Sequence, residues 1–142
     1  MFSIPKIRIF LISGLLLVLG LQCKKSDRVI PNVSVHVVID EVTLSTLGVG
    51  SSMIYAGNAG IRGIIVYRSD LYEYKAYERL CTNYPNDTCT VKLDTDGLTA
   101  VCPCCGSEFS MPGDGAVIKS PARWPLKEYQ TTYLGGRLYI DN

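Results

Sequence analysis

Apolar residues run almost unbroken from Ile9 to Leu21, interrupted only by Ser13, Gly14 and Gly20, with Lys6 and Arg8 before them and Gln22-Cys23-Lys24-Lys25 after. The length fits the ~7–15-residue apolar region of a secretory signal and falls short of the ~20 residues of a spanning helix. A retained N-terminal membrane helix is the alternative. Further on the pattern changes period. Val33-Ser34-Val35-His36-Val37-Val38-Ile39 is β-branched and roughly alternating, which predicts a strand with His36 on one of its faces. Five glycines (48, 50, 57, 60, 63) and Ser51-Ser52 then break the pattern, predicting loop or short irregular strands. Gly63–Arg68 and Tyr72–Tyr77 read as two strands around a turn at Ser69-Asp70. Turn signals recur at Asp94-Thr95-Asp96-Gly97, Pro112-Gly113-Asp114-Gly115 and Gly135-Gly136. They separate short β-prone stretches at Leu98–Cys102, Ala116–Lys119, Tyr129–Tyr133 and Arg137–Ile140. Many short strands at such spacing predict an all-β antiparallel sandwich or barrel, and no window beyond the signal shows sustained helical periodicity.

At 142 residues the chain makes one domain plus its termini. With 14 basic against 13 acidic residues it lacks the cationic excess that a nucleic-acid surface needs, so no nucleic acid is expected as a partner. The only histidine is His36, and no motif surrounds it; a structural role on its strand is expected. The glycine-rich stretch lacks the Gly-Lys-Ser/Thr ending of a phosphate loop. No acid, base and nucleophile cluster, and no catalytic residue is assigned.

Leu19-Gly20-Leu21-Gln22 ahead of Cys23 resembles the lipobox of a bacterial lipoprotein, which makes Cys23 the residue that accepts a lipid. The resulting division is a signal at 1–22, a lipid-anchored polar tether at 23–31 and one domain at 32–142. Localisation would be the bacterial cell envelope, exported and membrane-anchored. Cleavage removes Lys6 and Arg8 and leaves the mature protein close to neutral.

Five cysteines then remain, at 81, 89, 102, 104 and 105. An odd number leaves one thiol over if the rest pair as disulfides, and it also fits metal ligands plus a spare, or a disulfide plus two or three ligands. Cys102-Pro103-Cys104-Cys105 contains a Cys-x-x-Cys step ending at Gly106, a tight loop that can turn two sulfurs toward one ion. Oxidation is permitted outside the cytoplasm, so a disulfide framework stands beside the metal reading. Thiol-disulfide exchange through this loop has less support, because no helix N-terminus is there to acidify an attacking thiol.

The stretch from Tyr77 onward resembles a Rieske domain. Cys102-Pro103-Cys104-Cys105-Gly106-Ser107-Glu108-Phe109 is similar to the second Rieske box, Cys-Pro-Cys-His-Gly-Ser-x-Phe, and Cys81-Thr82-Asn83 to the first, Cys-Thr-His. Gly115-Ala116-Val117, Pro121-Ala122, Pro125-Leu126, Tyr129 and Gly136–Ile140 resemble the closing strands. The resemblance implies a Rieske-like all-β fold with a two-loop, cysteine-bearing subdomain and a two-iron two-sulfur (2Fe-2S) cluster. It places Cys81 and Cys102 at the cysteine-ligand positions, and Asn83 and Cys105 where the histidines stand. Cys89 is the nearest replacement donor, giving the thiolate set Cys81, Cys89, Cys102 and Cys105. Such a centre should lie nearer the ~−400 mV of plant-type ferredoxins than the ~−150 to +300 mV of histidine-ligated Rieske centres. Cys104 matches the position of a loop-bracing disulfide whose usual partner position is Asn86; Cys89 could take that place. One sulfur does not serve both roles.

Two functions follow. One is a membrane-tethered Rieske-like electron-transfer module with an unidentified redox or protein partner and no substrate site of its own. The other is a cluster-free structural or interaction module braced by a disulfide or a zinc ion. Clusters are loaded before export, and Lys6-Ile7-Arg8 is not a twin-arginine signal, which favours the second.

Overall fold

The fold is described from a computed structural model over residues 30–85 and 89–142. The stretch expected to be a signal, Cys23 expected to accept a lipid, and Asn86 lie outside the described residues.

The elements in chain order are β1 (His36–Ile39), α1 (Glu41–Ser45), β2 (Ser51–Ile54), β3 (Ile64–Arg68), β4 (Tyr74–Glu78), β5 (Lys92–Leu93), β6 (Thr99–Val101), β7 (Glu108–Ser110), β8 (Ala116–Lys119), β9 (Glu128–Leu134) and β10 (Arg137–Asp141). The architecture is all-β. A six-stranded antiparallel sheet in the order β1-β10-β9-β4-β3-β2 forms a frame, and β5-β6-β7-β8 form a second, four-stranded sheet. The second sheet and its loops lie between β4 and β9 in sequence. Their entry and exit are neighbours, because the Glu78 amide donates to the Lys127 carbonyl across 2.8 Å.

β3 explains its own composition. Ile64 and Val66 face a frame core with Val37, Ile39, Ala76, Leu138 and Ile140. Ile65 and Tyr67 face the opposite way, into a second core with Tyr77, Val91, Ala100, Phe109 and Met111. A strand covered on both faces needs no polar alternation, hence the continuous Ile64-Ile65-Val66-Tyr67. Tyr77 ties the two sheets together: its ring is buried and its hydroxyl donates to the Met111 carbonyl at 3.1 Å.

Two elements depart from the sequence expectation. Asp40 caps a five-residue helix by accepting from the Thr43 amide at 2.8 Å. One turn of helix is too short to show a period. The Ser51–Ile54 stretch is a regular edge strand, paired in register with β3, in which Met53 packs against the frame core. His36 lies exposed on β1, its Nδ1 2.6 Å from Asp141 of the neighbouring β10, remote in sequence from both cysteine-bearing loops. No described helix is long and apolar enough to cross a membrane.

Candidate metal centre

Two loops and a third segment meet at one end of the second sheet. The first loop leaves β4 at Cys81 and returns at Cys89; the Cys81 amide donates to the Cys89 carbonyl at 3.1 Å, and the Leu80–Thr90 bridge closes its base. The second loop joins β6 to β7. It is closed by Cys102 N–H to Ser107 O at 2.9 Å and Gly106 N–H to Cys102 O at 2.8 Å, with Gly106 at φ +74° to complete the turn. The third segment carries Ala122 and Trp124. The Ala122 amide donates to Ser107 Oγ at 2.8 Å, and Thr82 Oγ1 donates to the Trp124 carbonyl at 2.7 Å. Each cysteine loop is therefore hooked to the same strap. The buried hydroxyls of Thr82 and Ser107 do this, and sequence reading gave them no role beyond their places in the two boxes.

Three free thiols converge between the loops. The Sγ atoms of Cys81, Cys102 and Cys105 lie within 4.8 Å of one another. Cys81 and Cys102 are fully buried, whereas Cys105 is half-buried. Cys81 and Cys105 face each other across the two loops at 3.8 Å. Asn83 sits half-buried in the first loop. Cys89 and Cys104 form a disulfide, which ties the end of the first loop to the second. Its Cys89 sulfur is 3.4 Å from Cys102 Sγ, so the disulfide is packed directly against the thiol group. With its sulfur in that bond, Cys89 is not among the free thiols.

The thiols are electrostatically unlike. Burial, followed by the neighbouring Cys102 thiol, pushes Cys81 up to about 12. Burial also works against ionisation of Cys105, but hydrogen bonds from Ser107 and from the Cys102 and Cys81 thiols outweigh it and hold Cys105 below its ordinary value. Ser107 Oγ is 3.1 Å from Cys105 Sγ.

This donor set does not fit a histidine-ligated iron, because neither loop carries an imidazole. It fits a thiolate-held centre. Three soft sulfur donors, two of them removed from water, are brought together from two loops that are separately braced.

No family model matches the chain, and no curated protein does. Solved structures do match. The cyanobacterial plasma membrane Rieske protein PetC3 from Synechocystis PCC 6803 is 24% identical, with 77% of this chain and 98% of that chain covered and a TM-score of 0.54. A ferredoxin of carbazole 1,9a-dioxygenase from Nocardioides aromaticivorans IC177 is 19% identical over 68% of this chain and 89% of its own, with a TM-score of 0.48. A complex of reduced oxygenase and oxidized ferredoxin in carbazole 1,9a-dioxygenase gives 24% identity, 68% and 85% coverage and a TM-score of 0.49. The match to the cyanobacterial protein spans nearly all of that chain: this chain has the Rieske-type fold.

Proposed function

We propose that the protein is an exported, membrane-tethered Rieske-fold module that carries a thiolate-held 2Fe-2S centre and exchanges single electrons with a protein partner. The observation that carries the reading is the convergence of Cys81, Cys102 and Cys105 between two braced loops of a Rieske-type fold. Cys81 and Cys102 would hold one iron and Cys105 would serve the other, at a position where the sequence resemblance puts a histidine. Asn83 stands at the remaining position. Cys89 becomes available as a fourth thiolate only when its bond to Cys104 is reduced. The centre, when bound, would supply a one-electron couple; the chain's own residues hold the two loops together, exclude water from Cys81 and Cys102, and fix Cys105 through Ser107. Anchoring rests on the lipobox-like stretch before Cys23.

The test is iron and acid-labile sulfide analysis of the mature domain, purified anaerobically and also after reconstitution. Bound iron and sulfide with visible absorption support the reading, and colourless, iron-free protein overturns it.

A second reading has its own observation. The fourth thiol is taken by the Cys89–Cys104 disulfide, and the remaining three sulfurs lie within 4.8 Å of one another. That spacing suits one tetrahedral ion, for which a Zn–S bond of ~2.3 Å puts sulfurs ~3.8 Å apart. Zinc in place of iron in the same analysis, or a folded metal-free protein, supports a cluster-free module braced by the disulfide or by zinc.

A further inference from the structure

The three thiols differ in what can reach them and in what they can reach. Cys105 is half-buried and is the one of the three that has exposed surface, whereas Cys81 and Cys102 have none. Cys105 Sγ is 3.8 Å from Cys81 Sγ, on the opposite loop. A disulfide of ~2.05 Å needs these two sulfurs to approach by less than about 2 Å, with each loop keeping its own closing hydrogen bonds. Cys102 is the poorer partner. It stands three residues from Cys105 in the turn closed by the Gly106-to-Cys102 hydrogen bond, and its sulfur rests 3.4 Å from Cys89. Its sulfur belongs to a fully buried residue packed against the Cys89–Cys104 disulfide, where a small disulfide does not reach it.

We infer that Cys81 and Cys105 form a second disulfide between the two loops when the metal-free protein meets a low-molecular-weight disulfide, beside the existing Cys89–Cys104 bond. The sulfur of Cys105 attacks one sulfur of the small disulfide, forming a mixed disulfide and releasing one small thiol. The sulfur of Cys81 then attacks Cys105 Sγ, releasing the second small thiol. Two protein thiols are oxidised, one small disulfide is reduced to two thiols, and the two protein thiol protons end on the released thiols. Closure withdraws two of the three free thiols from any metal. The bond itself stands whether or not the loops carry a centre; its consequence as a switch of metal loading rests on the thiolate-centre reading above.

The experiment treats the metal-free mature protein, with Cys81, Cys102 and Cys105 as thiols and the Cys89–Cys104 bond retained, with oxidised glutathione, then maps peptides without reduction. The expected result is a cross-linked pair carrying Cys81 and Cys105, together with the Cys89–Cys104 pair and an unmodified Cys102. The same link should form in Cys102→Ser; if that variant does not fold, the map of the parent chain decides. A Cys81–Cys102 or Cys102–Cys105 link overturns the inference, as does glutathione retained on Cys105, or no reaction. Cobalt(II) uptake before and after oxidation separates the two proposals. Reduced protein that binds cobalt and loses more than ten-fold of that affinity on oxidation supports the switch. Equal cobalt binding in both forms overturns the switch, whatever the map shows. Reduced protein that binds neither cobalt nor iron sinks the thiolate centre, while the Cys81–Cys105 map still decides the disulfide.

Discussion

The phenol of Tyr129 on β9 donates to the carboxylate of Glu78 on β4 across 2.6 Å, and both side chains are buried. The same carboxylate accepts from the amides of Ile61, Arg62 and Leu80 at 2.6, 2.8 and 2.9 Å. One side chain thus gathers the glycine-rich segment, the start of the first cysteine loop and the strand that follows the second sheet. Glu78→Ala leaves the buried Tyr129 hydroxyl and Leu80 amide without a partner, frees the less buried Ile61 and Arg62 amides, and should cost at least about 3 kcal/mol, against about 1.5–3 kcal/mol for Tyr129→Phe. Urea unfolding of both variants checks the order; equal and negligible losses would refute the clamp.

Gly60 precedes Ile61 where the backbone runs past that carboxylate. It has φ +71°, and a Cβ there would lie 2.5 Å from Glu78 Oε2, an atom already fixed by its donors. Gly60→Ala should destabilise the fold by about 1–3 kcal/mol, more than Gly97→Ala, where a Cβ meets nothing closer than 3.7 Å at a similar φ. Thermal unfolding of the two variants side by side is the measurement.

Alkaline stability follows from the same contact. Burial, then the hydrogen bond and charge of Glu78, raise the Tyr129 phenol above its ordinary value of 10. The folded protein therefore keeps a proton that the unfolded chain gives up. This contribution is whole below the unfolded value and is lost as pH rises toward the folded one. The urea midpoint of the parent should fall between about pH 9 and 11, and Tyr129→Phe, starting lower, should fall less steeply. Parallel slopes would argue against it.

The Cys89–Cys104 disulfide closes a loop with a sequence separation of 15. A cross-link of that span is worth about 3 kcal/mol by restricting the unfolded chain. Cys104→Ala should lose most of that in urea unfolding and become insensitive to added reductant, whereas the parent should fall to the variant's level on reduction.

Supplying the missing imidazoles is a direct test of the scaffold. Asn83→His combined with Cys105→His places histidine at both departing positions while keeping Cys81, Cys102 and the disulfide. Reconstitution of this double variant should yield a centre with a higher reduction potential than any formed by the parent, because neutral imidazoles replace an anionic thiolate. Voltammetry and iron analysis check it; a variant that folds but takes up no iron would show that the loops have lost more than their ligands.

Much of this was legible in the chain. Val33–Ile39, Gly63–Arg68, Tyr72–Tyr77 and the four later β-prone stretches each overlap an observed strand, because β-branched runs and glycine turns act locally. The turn at Asp114-Gly115 even shows in the backbone, with both residues at positive φ. Glu78 was not legible. Between Tyr77 and Arg79 it reads as an ordinary polar strand residue, and only the approach of Tyr129 and of the glycine-rich segment, both distant in sequence, makes it a buried hub. β5 and β7 are too short to carry a pattern and exist through their pairing with β6. At the site, the boxes pointed to Cys81, Cys102 and Cys105 together with Cys89, whose sulfur the structure has in the bond to Cys104, while the hooks from Thr82 and Ser107 to the third segment depend on tertiary approach.

Cys81 and Cys102 have no exposed surface and pack with Val91, Ala100 and Phe109 as members of the second core. A buried thiol behaves there as a small apolar group, so both sulfurs contribute to cohesion with or without an ion between them. Chemistry and architecture are thereby decoupled. A substitution at the half-buried loop positions Asn83 and Cys105 therefore changes the donor set without cutting into that core.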